Sequence, residues 1–325
     1  MCARRIFEIT ACGTPVVSTE SAAIGEFFSS DEVFVVDSQE QAENTIKALV
    51  RSKEVRDRAT HRAQRRIWRE HTYSHRAAKV LNAVGFTGQA HQITSRPSVS
   101  CIVSTNRPHQ VEHVLKTFAS QTGCEKQLVL LTHGFESEQA ELRSRARDLG
   151  IENFTLLFGE PALYLGECLN KLVEAAEGDV VTKMDDDDLY GPHYLNDQLA
   201  ALDYSGADVV GKQAHYMHLE SSGATLLRFP EREHRFTDFI MGPTIMGWKE
   251  TMKSHPFAKR NRGEDSAFLR DLTVSGCSVY SSDRFNFVQV RKDFDGNHTW
   301  NVTDAEVLAT GTVAFYGEAQ SHVFV

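Results

Sequence analysis

Four consecutive aspartates, Asp185–Asp188, are the residues of this sequence whose type and spacing could do chemistry. They follow a predicted apolar strand, and alternate residues of an extended chain point to the same face, so Asp185 shares a face with Asp187. Two carboxylates on one face at the end of a strand repel each other unless a cation lies between them. An all-oxygen site of this kind suits Mg²⁺ or Mn²⁺, which also bind the oxygens of a diphosphate.

A metal site at these aspartates would assist the departure of a nucleoside diphosphate, because the cation neutralises the negative charge that develops on the leaving group. The alternative is a solvated acidic turn without a ligand. The run follows an apolar strand and precedes the turn-forming segment Leu189–Pro192, which places it at the edge of a sheet. This position favours the metal site.

The chain after residue 98 alternates β and α segments, which predicts a mostly parallel sheet flanked by helices. The predicted strands span residues 99–104, 127–131, 154–157 and 179–184, and predicted helices span residues 110–121 and 165–176, with a further helix rich in Glu and Arg after the second strand. Ligands of such sheets bind outside the carboxyl ends of the strands. The residues directly after each strand are therefore the candidates for a site.

Three segments carry a resemblance to a known family. Residues Lys183–Leu195 resemble the DxD segment of family 2 glycosyltransferases with the GT-A fold. Residues Ser104–Pro108 resemble the first nucleotide-binding loop of that family, and Gly166–Asn170 resemble its helix before the DxD strand. The resemblance covers about residues 98–300. It implies the GT-A nucleotide-diphospho-sugar transferase fold and a single displacement that inverts the anomeric carbon.

The resemblance also implies roles for individual residues. Asp185 would lie near the nucleotide ribose, and Asp187 would bind Mn²⁺ or Mg²⁺ with Asp185 as a second carboxylate. His298 matches a late histidine that several GT-A enzymes use as a further metal or phosphate ligand, and a surface histidine is the alternative. The other residues expected to bind the nucleotide sugar are Thr105, Asn106, Arg107, Asn170 and Asp186.

An inverting transfer also needs a carboxylate that accepts the proton of the attacking hydroxyl. The segment Arg262–Leu269 resembles the ED motif of the family, by which Asp265 is the general base and Glu264 holds the acceptor or the geometry of the site. The alternative is that both acidic residues only stabilise the positive end of a helix. On the acceptor side, Trp248 is a candidate platform for a sugar ring, although a tryptophan is more often part of the core.

The second predicted strand departs from the family pattern. In the family this strand usually ends in an aspartate that reads the base or the ribose, whereas Leu131 is followed here by Thr132, His133 and Gly134. The nucleotide is therefore open, and a UDP-sugar is the default donor. A carbohydrate or lipid-linked acceptor and a role in polysaccharide biosynthesis are expected, but the sequence does not identify the acceptor.

The first 88 residues differ in character from the rest. Residues Arg4–Ser18 resemble the carboxyl-terminal half of the donor domain of GT-B, family 4-like glycosyltransferases, in which a glutamate at the place of Glu8 binds the ribose. We interpret residues 1–88 as a half-Rossmann fragment with a structural or docking role, or as the tail of a longer polypeptide. Residues 89–97 are predicted to be a linker, and residues 98–325 are predicted to be the GT-A domain.

The N-terminal fragment is predicted to contain two short strands followed by helices. The strands are at residues 14–18 and 33–36, and Ser38 is a candidate N-cap for a helix that runs toward Val50. Residues 51–85 are predicted to be helical and are rich in arginine. Their basic part, residues 51–79, could touch an anionic membrane surface. A solvated helix face is the favoured interpretation.

Composition excludes several classes of protein. A net charge of −9 and a pI near 5.9 argue against a partner such as duplex nucleic acid. No apolar run approaches the ~18 to 20 residues that a membrane-spanning helix needs, and Glu8, Gly13 and Pro15 interrupt any signal peptide. The six cysteines are scattered without a CxxC pair. Unpaired cysteines of this kind favour a cytoplasmic location. A cytoplasmic protein could also make peripheral contact with the inner face of the membrane.

The leading hypothesis is an inverting glycosyltransferase of the hexosyltransferase type that uses a divalent metal and Asp265. An alternative from another class is a non-catalytic sugar-nucleotide or carbohydrate-binding protein that retains the GT-A fold. Such a protein would be expected to lose the base or the metal carboxylates, and the sequence retains both. A nucleotidyltransferase would usually carry a glycine-rich loop after the first strand, where this chain has Thr105–Pro108.

Overall fold

The computed structural model describes residues 3–136, 139–292 and 303–325. It divides into two compact units, residues 1–96 together with Val325 and residues 97–324. Within the described residues, no helix is long and apolar enough to cross a membrane.

The first unit pairs a two-stranded parallel sheet with a set of helices. Its elements are α1 (Arg4–Ala11), β1 (Val16–Thr19), β2 (Val33–Val36), α2 (Gln39–Arg51), α3 (Lys53–Arg66), a π-helical turn (Ile67–His71), α4 (Tyr73–Ala83) and α5 (Thr87–Thr94). Val16 lies opposite Val33 in the sheet, and both belong to the core of this unit. Ser38 caps α2 as predicted, because its side chain accepts a hydrogen bond from the Gln41 N–H.

Helix α5 was not expected from the sequence. The prediction treats residues 89–97 as a linker because the segment is polar and lacks a hydrophobic period, whereas α5 continues to Thr94. The helix packs against α4, and Ala90 is its buried residue, at 1% exposure. The end of α5 is further held by Thr94, whose hydroxyl donates to the carbonyl oxygen of Ala90.

The second unit is built on an eight-stranded sheet that confirms the predicted fold class. Its elements up to the acidic run are β3 (Val99–Thr105), α6 (Val111–Ser120), β4 (Lys126–His133), α7 (Gln139–Asp148), β5 (Phe154–Gly159), α8 (Leu165–Ala175) and β6 (Val180–Lys183). All four predicted strands and the predicted helices are present. Strands β6, β3, β4 and β5 are parallel neighbours in that order.

The rest of the second unit completes this sheet and adds a second one. Its elements are β7 (Leu189–Tyr190), α9 (Tyr194–Ser205), β8 (Val209–Gly211), β9 (His215–Leu219), β10 (Ala224–Arg228), β11 (Arg235–Phe236), β12 (Met246–Trp248), α10 (Lys249–Ser254), α11 (Glu264–Val274), β13 (Val279–Ser281), β14 (Phe287–Arg291), α12 (Asp304–Leu308), β15 (Gly311–Tyr316) and α13 (Ala319–Val323). The large sheet has the order β11-β13-β8-β12-β6-β3-β4-β5, and the smaller sheet has the order β15-β10-β9-β14-β7.

Both faces of the large sheet are buried. In β4, Leu128 and Leu130 belong to the core on one face, whereas Val129 and Leu131 belong to the core on the other. A parallel strand that is covered on both sides reads as a continuous apolar run instead of an alternating one. This explains why the apolar segment 127–131 predicted a strand correctly.

A close backbone contact fixes the segment that leads into α11. The N–H of Gly166, at the start of α8, donates to the Arg260 carbonyl oxygen at 3.2 Å, and the N–H of Leu165 donates to the Asn261 side chain at 2.9 Å. A Cβ atom on Gly166 would lie 1.9 Å from the carbonyl oxygen of Ala258. Only glycine allows the two segments to approach this closely.

Replacing Gly166 with alanine should therefore destabilise the second unit, since backbone atoms cannot rotate away from the added methyl group. Overpacking of this kind costs about 1–3 kcal/mol, and we expect urea denaturation to show a loss of that size. Gly88→Ala is the control, because a Cβ there meets nothing within 4 Å. Equal free energies of unfolding for the two variants would contradict the close contact.

Candidate active site

Lys183, the last residue of β6, lies at the centre of the candidate site. Its side chain is 5% exposed, and its Nζ atom lies 3.1 Å from Asp185 Oδ1 and 2.8 Å from Asp265 Oδ2. Burial lowers the pKa of Lys183, but the charges of Asp185 and Asp265 outweigh burial and leave the pKa above its ordinary value. One charged ammonium group therefore joins the acidic run to the first turn of α11.

Helix α11 presents two carboxylates at this point. Asp265 is bound through Oδ2, whereas its Oδ1 atom is buried without a hydrogen-bond partner among the described residues. The same holds for Glu264 Oε2. Burial, and then the charge of Asp265, raises the pKa of Glu264. Buried acceptors without a donor are rare in folded proteins, so each of these two oxygen atoms could still accept a hydrogen bond that the described residues do not supply.

A short segment before β12 confines Asp265 from the other side. Gly242 begins the 3₁₀ turn Gly242–Thr244, and a Cβ atom on Gly242 would lie 1.8 Å from Asp265 Oδ2. The N–H of Met241 donates to the Lys212 carbonyl oxygen at 2.9 Å, which anchors the segment. The Asp265 carboxylate is thus packed between the ammonium group of Lys183 and the backbone of Gly242.

Asp186 is buried and holds two loops together. It is 4% exposed, and it accepts hydrogen bonds from the Thr105 hydroxyl at 2.5 Å and from Arg107 Nε at 3.1 Å, with a further bond from Arg107 Nη2. The side chains of Thr105 and Asp186 were predicted to bind the nucleotide sugar. In the structure they bind each other and join the loop after β3 to the loop after β6.

Asp188 is also buried, and it connects the run to the smaller sheet. Its Oδ1 atom accepts the Val290 N–H of β14 at 2.9 Å, and its carbonyl oxygen lies 2.9 Å from His113 Nε2. Burial, and then the charges of Asp187 and Asp185, raises the pKa of Asp188 well above its ordinary value. Asp188 therefore has a role in the fold.

Asp185 and Asp187 are the partly exposed members of the run. Their side chains are 36% and 18% exposed, whereas Asp186 and Asp188 are buried. Burial is the largest cause that raises the pKa of Asp185 to about 6, with Lys183 acting in the opposite sense. Asp187 Oδ2 accepts a hydrogen bond from Arg107 Nη1 at 2.7 Å. The alternation of exposure follows the predicted alternation of the faces.

The donor set at Asp185 and Asp187 fits a hard divalent cation by its chemistry. No group of three His, Cys, Asp or Glu side chains within the described ranges is arranged to hold a metal ion by itself. Cations such as Mg²⁺ commonly bind one or two carboxylates and complete their shell with substrate phosphates and water. The two aspartates therefore suit a cation that is bound together with a diphosphate. His298, the predicted third ligand, lies outside the described residues.

The structure does not bring every predicted residue to this site. Asn106 is exposed beside it, at the end of β3. The amide of Asn170 binds the backbone of Phe257 instead, with distances of 2.9 Å and 2.8 Å to the carbonyl oxygen and the N–H. Trp248 lies opposite Val180, at the end of β6 that is remote from the acidic run, because β12 is antiparallel to β6. It is 38% exposed there.

Three residues with clear contacts in the site were given no role from the sequence. They are Lys183, Gly242 and Tyr190; the hydroxyl of Tyr190 accepts the Asp185 N–H at 2.8 Å and donates to the Pro243 carbonyl oxygen at 2.9 Å. Lys183 carried a usable signal, because a lysine inside an apolar strand is almost never buried without a partner. Gly242 and Tyr190 carried no such signal.

Comparisons with known proteins confirm the family resemblance of the second unit. Residues 100–260 match the family described as glycosyl transferase family 2, and residues 1–82 match a family described as glycosyl transferase-like. No curated protein matches the chain in sequence. Residues 100–260 are therefore a family 2 glycosyltransferase domain.

Two solved structures resemble this chain. A crystal structure of S. aureus TarS 1–349 in complex with UDP-GlcNAc is 18% identical, with a TM-score of 0.51 over 63% of this chain and 62% of that chain. The mannosyltransferase PcManGT from Pyrobaculum calidifontis, in complex with GDP-Man and Mn²⁺, is 15% identical, with a TM-score of 0.48 over 63% of this chain and 59% of that chain. The chain thus spans about three-fifths of the TarS chain that it matches. The likeness to TarS supports the GT-A fold.

The different surroundings of the aspartates predict different effects on stability. Asp186→Asn should lower the free energy of unfolding by about 2 kcal/mol, which is below the ~3–5 kcal/mol for a fully buried pair because Arg107 is 25% exposed. Asp187→Asn should cost less than about 1 kcal/mol, as is usual for a more exposed ion pair. Urea denaturation of both variants measures the difference. Equal losses would contradict the structural role of Asp186.

Proposed function

We propose that residues 98–325 form an inverting glycosyltransferase that moves a sugar from a nucleoside-diphosphate sugar to a hydroxyl group of a carbohydrate or lipid-linked acceptor. The single observation that carries this proposal is the pair of contacts made by Lys183. They bring Asp185 of the acidic run and Asp265 of α11 to one ammonium group. The carboxylates proposed for the donor side and the acceptor side therefore converge at the carboxyl end of β6.

Asp265 is the proposed general base. Its Oδ1 atom accepts the proton of the acceptor hydroxyl while the hydroxyl oxygen attacks the anomeric carbon. The new bond from oxygen to carbon forms as the bond to the diphosphate breaks, and the leaving group departs with the bonding electrons. A single displacement of this kind inverts the anomeric carbon. The buried Oε2 atom of Glu264 offers a second acceptor for the same substrate.

The donor side is assigned to the loops after β3 and β6. Mg²⁺ or Mn²⁺ held by Asp187 and Asp185 would neutralise the charge on the departing nucleoside diphosphate. Arg107 pairs with Asp187 here, and an arginine fork also matches the oxygens of a diphosphate. Arg107 and the exposed Asn106 are therefore the proposed contacts to the donor. A UDP-sugar is the first donor to test, since the TarS structure that shares this fold is a complex with UDP-GlcNAc.

Nucleotide binding tests the donor side. Thermal unfolding is measured with UDP, GDP, dTDP and CDP, each with and without Mn²⁺, and a ligand at a hundred times its Kd adds about 2.7 kcal/mol of stability. We expect one nucleotide to stabilise the protein only when Mn²⁺ is present. Stabilisation by none of the four would contradict a working donor site, and stabilisation without turnover of the corresponding nucleotide sugar would favour a binding protein.

Asp187→Ala should abolish the metal-dependent part of this stabilisation, because it removes the proposed metal carboxylate from the partly exposed face of the run. The reference is Asp203→Ala, which removes an acidic residue from α9 and leaves the acidic run intact. The measurement is the shift in unfolding temperature on addition of Mn²⁺ together with the nucleotide. An unchanged shift in the Asp187→Ala protein would rule out its metal role.

Asp265→Asn should leave nucleotide binding in place and lower turnover by about 10²–10⁴-fold, the usual contribution of a general base. Asp271→Asn is a matched control, because Asp271 lies on the same helix and binds His255 Nδ1 at 2.7 Å. The turnover of both variants is measured as the rate at which nucleoside diphosphate is released at a saturating concentration of the nucleotide sugar. Retained turnover in the Asp265→Asn protein would move the base elsewhere, with Glu264 the next candidate.

A further inference from the structure

We propose that Lys183 is a positioning residue that selects which oxygen of Asp265 faces the acceptor and holds that base at a fixed place relative to Asp185. The proposal rests on the proposed function, since it concerns the carboxylate that accepts the acceptor proton. It assigns a role in the reaction to a residue that touches neither substrate.

The two oxygen atoms of Asp265 have different surroundings. Oδ2 accepts a hydrogen bond from Lys183 Nζ at 2.8 Å and lies against the backbone of Gly242. Oδ1 is buried and has no donor within the described part of the chain. Because a lone pair already engaged by an ammonium group is a poor proton acceptor, the contact to Lys183 leaves Oδ1 as the atom for the hydroxyl proton.

The packing around Asp265 makes this choice dependent on Lys183. Gly242 meets the Oδ2 atom of Asp265 by close van der Waals contact. The staggered rotamers of an aspartate side chain differ in free energy by much less than the cost of burying an unpaired charge. Without the ammonium group, no other cation among the described residues pairs with the Asp265 carboxylate, and the carboxylate is expected to turn toward other donors or toward water.

The second ion pair of Lys183 ties the base to the donor side. Asp185 Oδ1 lies 3.1 Å from the same ammonium group. The backbone N–H of Asp185 donates to the Tyr190 hydroxyl, which donates to the carbonyl oxygen of Pro243. Pro243 directly follows Gly242, so the acidic run is connected to the segment beside Asp265 through Tyr190, and to Asp265 itself through Lys183. Loss of the ammonium group would leave two nearby carboxylates that repel each other.

A second buried lysine provides a matched control. Lys212 is fully buried, and its Nζ atom lies 3.0 Å from Asp283 Oδ1 and 2.8 Å from the Asp283 carbonyl oxygen. In the described part of the chain, its ammonium group binds Ser282 and Asp283 and contacts neither Asp185 nor Asp265. Lys212→Met therefore removes a buried, paired ammonium group from the same unit. It leaves the site carboxylates with Lys183 and keeps the main-chain carbonyl oxygen that binds the Met241 N–H. It measures how much a general loss of stability affects turnover.

The experiment compares Lys183→Met, Lys183→Arg and Lys212→Met in the full chain. The values of kcat and of the donor KM are measured from the release of UDP from UDP-GlcNAc in the presence of Mn²⁺. If the binding screen identifies another nucleotide, the corresponding nucleotide sugar is used instead. We expect Lys183→Met to lower kcat by about 100-fold or more while donor KM changes by less than about 5-fold, because a positioning loss falls on the chemical step. Lys183→Arg should recover at least about 10-fold of that loss, since it restores the charge. Lys212→Met should lower stability but change kcat by less than about 5-fold.

A crystal structure of the Lys183→Met protein gives a readout that does not depend on turnover. The proposal predicts that the Asp265 carboxylate rotates away from its present position, and an unmoved carboxylate would overturn it. An equal fall of kcat in Lys183→Met and Lys212→Met would also overturn it, as would a change confined to donor KM. If the wild-type protein releases no nucleotide from any nucleotide sugar, the proposed function fails, and the crystal structure still decides the role of Lys183.

Discussion

The site depends on the compensation of negative charge at the carboxyl end of β6. Asp185–Asp188, Glu264 and Asp265 bring six acidic side chains to this region. Carboxylates in such a place raise each other's pKa and would protonate or separate unless cations or donors were supplied. Two buried or half-buried cations supply this charge, because Lys183 pairs with Asp185 and Asp265 while Arg107 pairs with Asp186 and Asp187. The geometry of the site follows from this division of the carboxylates between Lys183 and Arg107.

The division also separates structural aspartates from those that remain open to a ligand. The carboxylates of Asp186 and Asp188 are bound within the fold. Asp186 accepts a hydrogen bond from Thr105 at the end of β3, and Asp188 accepts one from the backbone of β14 in the smaller sheet. They fix the turn that presents Asp185 and Asp187. On the other side, the contact between Gly166 and the carbonyl oxygen of Ala258 fixes the segment that enters α11. Asp185 and Asp265 are thus placed by separate elements, and Lys183 contacts both of them.

Much of the second unit could be predicted from the sequence, because its signals are local. Apolar runs such as Leu128–Leu131 lie in strands buried on both faces, and the acidic run follows β6 at the carboxyl end of that strand. The contacts that the sequence did not predict join residues far apart in the chain. Asn170 binds Phe257, 87 residues away, and Thr105 binds Asp186, 81 residues away. No local pattern records such partners, so the sequence alone could not predict these contacts within the chain.

The position of Trp248 depends on the direction of its strand, which a local sequence pattern does not give. β12 enters the sheet antiparallel to β6, and this direction puts Trp248 beside Val180 instead of beside Asp185. Sequence patterns predict that a strand exists but do not give its direction when it joins a mixed sheet. The contribution of Lys183 was visible only as a charged residue in an apolar strand, and its two partners required the fold.

The stereochemistry of the reaction tests the central claim most directly. Proton NMR of the sugar that the enzyme releases from its nucleotide donor to water, recorded before mutarotation, gives the anomer that forms first. The account predicts the anomer opposite to that of the donor, because Asp265 activates the attacking oxygen for one displacement at the carbon. A first product with the anomeric configuration of the donor would contradict the single displacement and the role assigned to Asp265.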